Sequence, residues 1–408
     1  MTQRDYDIVV WGATGFTGAL VCEYLLERYG INGELRWAVA ARNPDKLAAL
    51  KAQLGAETLP TLIADSHDPA SLEAMAASTR VVLTTVGPYA HHGSELVAAC
   101  VRKGTDYCDL AGEVQWIRRM IDEHQADARQ SGARIVHCCG FDSVPMDIGA
   151  WFLQQAAKQR RNTHCRSITL LVRSMRGGAS GGTAASILNA IREARTDRAT
   201  ARVLTDPYGL NPLDNRRGRD GRDQRGIRHH PQAGSWTAPF VMASVNTRVV
   251  RRTHALLGYP WGEDFAYHEA IATGTGLAGW FRAAVITAGL TAFVFAASFD
   301  VTRRLLERFV LPKPGEGPDR DARESGYYRL HQIGELPDGT LIRSRIAGDR
   351  DPGYGSTSKM LAECAVCLAR RETDCEGGVW TPASAMAAPL LARLRSNAGL
   401  SFEIVDPI

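Results

Sequence analysis

The chain has 408 residues, of which 45% are hydrophobic and 23% are charged. This length and balance are typical of a soluble protein with two packed domains, and they exclude a disordered or fibrous chain. The formal net charge is +4, and residues 216–230, with six Arg and two Asp, account for the excess. Because the basic residues concentrate in one segment, we expect no nucleic-acid partner.

The first part of the chain alternates short strands with amphipathic helices, the pattern of a doubly wound parallel sheet. The predicted strands are Asp7 to Trp11, Leu35 to Ala41, Thr61 to Ala64, Val81 to Thr85, Asp106 to Asp109 and Arg134 to His137. We therefore predict an α/β protein with an N-terminal Rossmann domain over residues 1–145.

The pattern changes after residue 145, where strand-like runs become longer and less regular. The predicted strands here are Ser167 to Val172, Phe240 to Val250, Phe265 to Ile271, Tyr327 to Gly334 and Thr340 to Ala347. They indicate an α+β substrate or dimerisation domain over residues 146–355, with a mostly antiparallel sheet. Residues 356–408 are predicted to form a C-terminal helical segment.

Residues 283–299 form a run of 17 residues without a charge. This is the lower limit of a membrane span, about 17 to 25 residues. Strand-like runs continue on both sides of the segment, and strands of one sheet cannot lie on opposite sides of a bilayer. We expect a helix within 274–309 that covers an apolar substrate channel or a homodimer face and rests peripherally on a membrane surface.

The cysteine pattern and the N-terminus predict the compartment. Nine cysteines without regular spacing argue against a disulfide framework. The N-terminus enters a strand without an apolar signal-peptide run. We therefore expect a cytoplasmic protein. Cys364 and Cys367 share one face of a predicted helix, and a buried pair explains them better than metal binding.

The glycine-rich turn after the first strand is the motif with the clearest chemistry. Glycines in such a strand-turn-helix unit permit a tight turn, let the backbone approach a pyrophosphate, and let the helix pack on the strand. The pyrophosphate then lies at the positive end of the helix. The residues predicted to bind a dinucleotide here are Gly12, Thr14, Gly15, Phe16, Thr17 and Gly18.

The end of the second strand predicts which dinucleotide is bound. An NAD enzyme usually places an acid about 20 residues past the glycines, but here the strand ends in Arg42. We expect Arg42, with Lys46 one helical turn later, to pair with the 2′-phosphate of NADPH; a solvated surface arginine is the alternative. Asp65, after the third strand, either flanks the adenine or caps the next turn.

The turn after the fourth strand is predicted to lie near the nicotinamide, because ligands bind at the carboxyl edge of such sheets. It contains Val86, Gly87 and Pro88. Tyr89 is the best-placed candidate for a catalytic hydrogen-bond donor, although a tyrosine in this position is as often a packing residue. His91 and His92 are further candidates to touch the substrate.

The sixth strand leads into a second polar turn at the same edge of the sheet. Asp142 and Ser143 follow it, immediately before Pro145. Both side chains either line the site or cap the helix that Pro145 begins, and we favour capping.

Several motifs together resemble the saccharopine dehydrogenase-like oxidoreductases, and within them the trans-acting enoyl reductases that work beside polyketide synthases. The motifs are GATGFTG, AAR, TTVGPY, YCDLAGE, CGFDSVP, LTDPY, NTRVVRR and GGVWTPASAM, spread over nearly the full length. The arginine-rich segment 215–230 matches no feature of the family.

The resemblance implies NADPH as hydride donor and an α,β-unsaturated acyl thioester, lipid or polyketide in type, as acceptor. It also implies an acyl carrier protein or polyketide synthase as partner, for which the arginine-rich segment is a candidate docking surface. A saccharopine dehydrogenase-like C=N reductase and a non-catalytic NADPH-binding protein associated with lipid remain alternatives, because fold does not dictate activity.

Overall fold

The computed structural model describes residues 4–31, 33–177, 181–214, 218–309, 317–373 and 375–405. The strands are β1 (Tyr6–Trp11), β2 (Trp37–Ala41), β3 (Thr61–Ile63), β4 (Thr79–Thr84), β5 (Asp106–Cys108), β6 (Arg134–Val136), β7 (Ser167–Arg176), β8 (Arg228–His230), β9 (Ser235–Ala238), β10 (Ala266–Gly274), β11 (Tyr327–Glu335), β12 (Leu341–Gly348), β13 (Gly378–Trp380) and β14 (Leu400–Ile404).

The α-helices lie between these strands. They are α1 (Phe16–Tyr29), α2 (Pro44–Leu54), α3 (Pro69–Ser78), α4 (Tyr89–His92), α5 (Ser94–Lys103), α6 (Val114–Ser131), α7 (Val144–Arg161), α8 (Gly181–Thr196), α9 (Arg198–Thr205), α10 (Ala243–Leu256), α11 (Gly276–Ala297), α12 (Asp300–Phe309), α13 (Arg320–Glu324), α14 (Thr357–Ala369) and α15 (Pro382–Asn397).

The first sheet has seven parallel strands in the order β13-β6-β5-β4-β1-β2-β3. The predicted Rossmann fold is thus confirmed, because six of these strands follow the 3-2-1-4-5-6 order of a dinucleotide-binding sheet. Its central strand β1 is hydrophobic on both faces, and Ile8, Val9 and Val10 are fully buried. Helices cover both faces of a parallel sheet, which explains this unbroken hydrophobic run.

The second sheet also has seven strands, in the order β14-β12-β11-β7-β10-β9-β8. All of its pairings are antiparallel except β7 with β10, so the predicted mostly antiparallel sheet is confirmed. Its polar and hydrophobic residues alternate along β12, where every second residue is buried, the pattern of a sheet with one covered face.

Residues 356–405 are built into both sheets. As predicted, they contain two helices, α14 and α15, and Cys364 and Cys367 are buried in α14. They also contain two strands that the sequence analysis did not predict: β13 extends the first sheet beside β6, and β14 extends the second beside β12. The division at residues 145 and 355 stays a prediction.

The predicted strand over 240–250 is wrong, since this segment leads into helix α10. Its run of Val and Thr favours a strand by composition. In the structure, twelve of the fourteen residues of α10 are buried, and seven of these are polar or charged, so its hydrophobic residues alone do not mark the buried surface of the helix. Alternation and helical periodicity cannot be told apart in such a segment.

Helix α11 forms where an apolar helix was predicted, and α12 follows it directly. It has the length and composition of a membrane span, which is weak evidence by itself. A purely buried helix is excluded, because only Gly279, Ala283 and Ala297 of α11 are buried. Its outer side chains include Leu277, 88% exposed, and Phe281, 64% exposed.

Candidate cofactor and substrate site

The glycine turn joins β1 to α1 and brings backbone groups to the carboxyl edge of the first sheet. Gly12 has a φ of +85°, a conformation that strongly favours glycine. A Cβ atom on Gly18 would lie 2.1 Å from the carbonyl oxygen of Gly12, so this glycine lets the helix pack on the turn. The first N–H groups of α1 have no partner within the helix and therefore form a site for a phosphate.

A cavity of about 790 Å³ opens beside this turn. One wall consists of the carboxyl edge of the first sheet, and the other consists of residues beyond 180. The predicted residues that line it are Gly12, Thr14, Gly15, Phe16, Thr17, Arg42, Val86, Gly87, Pro88 and Tyr89. Three others do not line it: Gly18 packs the helix, and Lys46 and Asp65 lie outside.

Arg42 ends the second strand and lies exposed at the cavity rim. No acidic residue follows the strand: Asn43 comes next, and its Oδ1 accepts a hydrogen bond from Lys46 N at 2.9 Å. The Lys46 side chain is exposed. Arg42 forms no ion pair with the residues that the structure describes, and such an exposed guanidinium fits a 2′-phosphate, for which Arg supplies paired donors.

Asp65 caps a turn, one of its two predicted roles. Its Oδ1 accepts a hydrogen bond from His67 N at 2.9 Å. The His67 ring centroid lies 5.7 Å from that of His92, which lines the cavity. Burial, followed by the neighbouring histidines and Arg42, lowers the pKa of His92. His92 is therefore close to the residues predicted to hold the adenosine part of the dinucleotide, whereas the sequence analysis considered it only as a substrate contact.

The Tyr89 side chain is buried and satisfied by the backbone. Its hydroxyl donates to Thr84 O at 3.2 Å and accepts from Leu110 N at 3.3 Å, while its ring stacks on Trp116 with centroids 5.4 Å apart. Burial, with Asp109 as a further cause, raises the pKa of Tyr89 well above its usual value. These contacts describe a packing residue, and a catalytic role for Tyr89 stays a prediction.

Glu113 organises the segment that follows the turn after β4, and it was not singled out from the sequence. Its carboxylate is fully buried and accepts hydrogen bonds from Tyr89 N at 2.7 Å and Ala90 N at 3.0 Å. It also accepts one from Ser186 Oγ at 2.9 Å, on the opposite wall. Glu113 therefore caps α4 and ties the two walls together. The only signal in the sequence for this role was the acid that ends the motif YCDLAGE.

Asp109 and His137 form a buried pair below the same edge. His137 Nδ1 lies 2.7 Å from Asp109 Oδ2, and the other oxygen accepts from the backbone of Ala111 and Cys138, each at 3.0 Å. With Tyr107 as a further donor at 2.9 Å, the carboxylate is fully engaged. This pair fixes the loops that follow β5 and β6.

The turn after β6 contradicts the capping role favoured for Asp142 and Ser143. Ser143 is the N-cap residue of α7, yet its side chain makes no capping hydrogen bond. Its hydroxyl donates instead to Asn246 Oδ1 at 3.4 Å. Asp142 lines the cavity. Tight backbone bonds from Ser143 N and Val144 N to Gly140 O close this turn, so no side-chain cap is needed.

The described part of the arginine-rich segment is anchored by its two acidic residues, while most of its arginines are exposed; residues 215–217 lie outside the described ranges. Asp220 pairs with Arg251 at 3.0 Å, and Asp223 pairs with Arg248. Both arginines are buried in α10. This anchoring brings Arg222 and Arg225 to the cavity.

The far wall of the cavity is mostly apolar. It is formed by α8, α9, the beginning of α10 with the turn before it, and α11, and its members include Ile187, Ala190, Ile191, Leu204, Phe240, Val241, Val245, Leu290 and Val294. Helix α11 thus contributes two side chains to the cavity, while most of its surface is exposed. Its predicted position beside an apolar channel is supported by these two residues.

The chain is similar in sequence to proteins of known name. The profile of the saccharopine dehydrogenase NADP binding domain matches residues 8–136. A putative trans-acting enoyl reductase of Mycobacterium tuberculosis is 42% identical over 415 residues, which cover 98% of each chain. The chain belongs to the trans-acting enoyl reductase family. A trans-acting enoyl reductase of Mycobacterium ulcerans is 38% identical over 413 residues, covering 96% of each chain.

A solved structure shows the family's fold. Saccharopine dehydrogenase (L-Glu forming) of Saccharomyces cerevisiae superposes with a TM-score of 0.53 at 13% identity, covering 98% of this chain and 99% of that chain. The resemblance to saccharopine dehydrogenase-like proteins is therefore confirmed. The matched NADP-binding domain includes the glycine turn and Arg42, so the predicted cofactor, NADPH, is confirmed as well.

Replacing Arg42 by Ala tests the role of this side chain toward the 2′-phosphate. We expect Arg42→Ala to weaken NADPH binding by roughly 1.5–3 kcal/mol, about tenfold to a hundredfold, because a charge-assisted hydrogen bond is lost. NADH binding should hardly change in calorimetric titrations. Lys46→Ala is the matched control and should have a smaller effect. An equal loss for both dinucleotides would contradict the assignment.

Substitution of Gly15 should impair nucleotide binding, whereas substitution of Gly18 should impair the stability of the fold. Gly15 has extended backbone, and an added Cβ would lie 3.3 Å from Gly12 O, so Gly15→Val should fold but lose nucleotide binding because its side chain blocks the phosphate. Gly18→Val should instead lower the melting temperature, since its Cβ overlaps Gly12 O. Tight NADPH binding by folded Gly15→Val would refute the turn's assignment.

Proposed function

We propose that this protein is an NADPH-dependent enoyl reductase that reduces the α,β-double bond of a lipid or polyketide acyl thioester. The observation that carries the proposal is the single cavity that joins the dinucleotide turn to an apolar wall. An acyl chain gains stability by burial against such a wall, at about 25 cal/mol for each Å² of apolar surface. The names of the curated relatives support the same chemistry.

The reaction requires few groups from the protein. NADPH, when bound, supplies a hydride for the β-carbon of the thioester. Gly12 to Thr17 would hold its pyrophosphate, and Arg42 would hold its 2′-phosphate. The turn of Val86, Gly87 and Pro88 lines the same cavity and would border the nicotinamide. The apolar residues of α8 and α11 would position the acyl chain and exclude water.

A C=N reductase is the second candidate, and Arg222 and Arg225 favour it. Both are exposed and line the cavity, and such cations would hold the carboxylates of an amino-acid substrate. A third cavity arginine, Arg248, is already paired with Asp223. The apolar wall and the names of the relatives favour the enoyl substrate over this alternative.

The same two arginines support an acyl carrier protein as partner. They lie in the anchored part of the arginine-rich segment, at the cavity, where a carrier-bound chain would enter. An acidic carrier surface would be steered toward them by opposite charge. The relatives are named trans-acting enoyl reductases, and a substrate carried by a separate protein is consistent with that term.

A substrate-dependent NADPH oxidation assay tests the activity. The purified protein is given crotonyl thioester on a pantetheine or a carrier protein, and separately a keto acid with an amine. We expect oxidation of NADPH at 340 nm with the thioester, and loss of that signal in Gly15→Val. Turnover with the keto acid and amine alone would support the C=N reductase in its place.

We further propose a cytoplasmic protein that contacts a membrane peripherally, and the exposed face of α11 and α12 is the observation that supports the contact. Leu277, Phe281, Phe295, Val301 and Phe309 are each more than 60% exposed. Together they present apolar and aromatic side chains along two consecutive helices. A homodimer that covers the same face is the alternative occupant.

Liposome flotation tests this contact. We expect the protein to float with vesicles containing anionic lipid and to be released by high salt or carbonate, because apolar side chains enter the interface without crossing it. Leu277→Asp with Phe281→Asp should abolish flotation, whereas Leu213→Asp, another exposed apolar position, should not. Release only by detergent would contradict peripheral contact. Absence of flotation with a dimeric mass in light scattering would assign the face to a dimer.

A further inference from the structure

The turn between β6 and α7 brings one acidic residue, Asp142, to the lining of the cavity. Phe141 and Ser143, on either side of Asp142, are 5% and 0% exposed, whereas Asp142 is partly exposed and lines the cavity. The turn follows β6 at the carboxyl edge of the sheet, where ligands of such folds bind. Asp142 is thus the acidic side chain that the first sheet contributes to the cavity lining.

The neighbours of Asp142 are held firmly in place. Phe141 N donates to Thr357 Oγ1 at 3.0 Å, and the Phe141 ring packs on Tyr328 with centroids 4.7 Å apart. On the other side, Ser143 Oγ donates to Asn246 Oδ1. Each neighbour is therefore tied to a different part of the core. This arrangement fixes the backbone from which the Asp142 side chain projects.

The Asp142 carboxylate has no hydrogen-bond or ion-pair partner among the residues that the structure describes. Most other buried carboxylates of this protein are satisfied. Asp109 accepts from two backbone N–H groups, and Glu113 accepts three hydrogen bonds. A carboxyl group that lies at a cavity and is left without partners is free to act on a ligand there.

The surroundings of Asp142 favour its neutral form. Burial raises its pKa to about 6. The thiol of Cys138, on the same turn, is also buried, and its pKa is raised well above the usual value, so it stays neutral. The other titratable or charged side chains of the cavity are Arg42, Tyr89, His92, Arg222, Asp223, Arg225, Arg248 and Tyr354. Asp223 and Arg248 pair with each other.

We propose that Asp142 is the general acid that protonates the α-carbon of the substrate during enoyl reduction; the inference rests on the proposed function. A hydride that NADPH would supply, with loss of its own C–H bond, forms the C–H bond at the β-carbon, and the electron pair of the double bond moves toward the thioester carbonyl as an enolate. The Asp142 O–H bond then breaks, and its proton forms the new C–H bond at the α-carbon. The carboxylate regains a proton from solvent before the next turnover.

The proposed role of the protonated Asp142 carboxyl group predicts how kcat/KM depends on pH. Since only the neutral carboxyl group donates a proton, kcat/KM should fall as the pH rises through about 6, the value in the free protein. Asp142→Asn removes the titrating group but keeps the shape of the side chain. The variant should therefore lose this descending limb, and Asp142→Glu should recover part of the rate.

The decisive experiment uses a 2-methylcrotonyl thioester, whose reduction creates a stereocentre at the α-carbon. Wild-type protein should yield one configuration. Asp142→Asn should lower kcat by about a hundredfold or more, as expected for loss of a general acid, and should yield a mixture because water then protonates both faces. Its NADPH affinity and melting temperature should match the wild type. Asp338→Asn, in an exposed turn, is the control.

Infrared spectroscopy gives a readout that does not depend on turnover. At pH 5, the difference spectrum between wild type and Asp142→Asn should contain the C=O stretch of one protonated carboxylic acid. Unchanged kcat, pH profile and product configuration in Asp142→Asn, with an active wild type, would overturn this inference alone. An inactive wild type in the thioester assay would overturn the proposed function and this inference with it.

Discussion

The close approach of α1 to the turn after β1 is the constraint on which the site depends. Gly18 lies so near Gly12 O that no side chain fits between them, and this contact aims the first turn of α1 along the sheet edge. Thr85 Oγ1 donates to Gly12 O at 3.2 Å and so joins the turn after β4 to the same point. The glycine turn and the turn after β4 are therefore positioned by contacts to the same carbonyl oxygen, that of Gly12.

The opposite wall of the cavity is held by buried charge. Asp220 accepts hydrogen bonds from Tyr208 OH and Tyr267 N, each at 2.8 Å, and pairs with Arg251. An ion pair without such additional bonds would not offset the desolvation of its charges. Because these contacts satisfy the acid, a segment that composition marks as surface becomes part of the cavity wall. Two of its arginines, Arg222 and Arg225, then line the cavity.

Local patterns were enough to predict six strands of the first sheet and the glycine turn, because a doubly wound sheet repeats one short unit. They failed for α10, because seven of its twelve buried residues are polar or charged and the hydrophobic pattern therefore does not mark its buried surface. They also failed for β13, a strand of three residues, Gly378 to Trp380, that exists only through its pairing with β6. The position of Tyr89 in the sequence, next to the predicted nicotinamide turn, made it a catalytic candidate. It could not show that the Tyr89 hydroxyl forms hydrogen bonds with the backbone.

The sequence by itself determined the dinucleotide turn and the preference for NADPH, since both depend on residues within about 35 positions of one another: the glycines, and an arginine where an acid would bind NAD. Tertiary structure alone decided the substrate cavity. Asp142, Ser186, Arg222 and Leu290 are far apart in the chain, and each has a common local alternative as a cap, a helix residue, a surface charge or a core residue. Only the packing of the second sheet and its helices against the edge of the first brings them to one cavity.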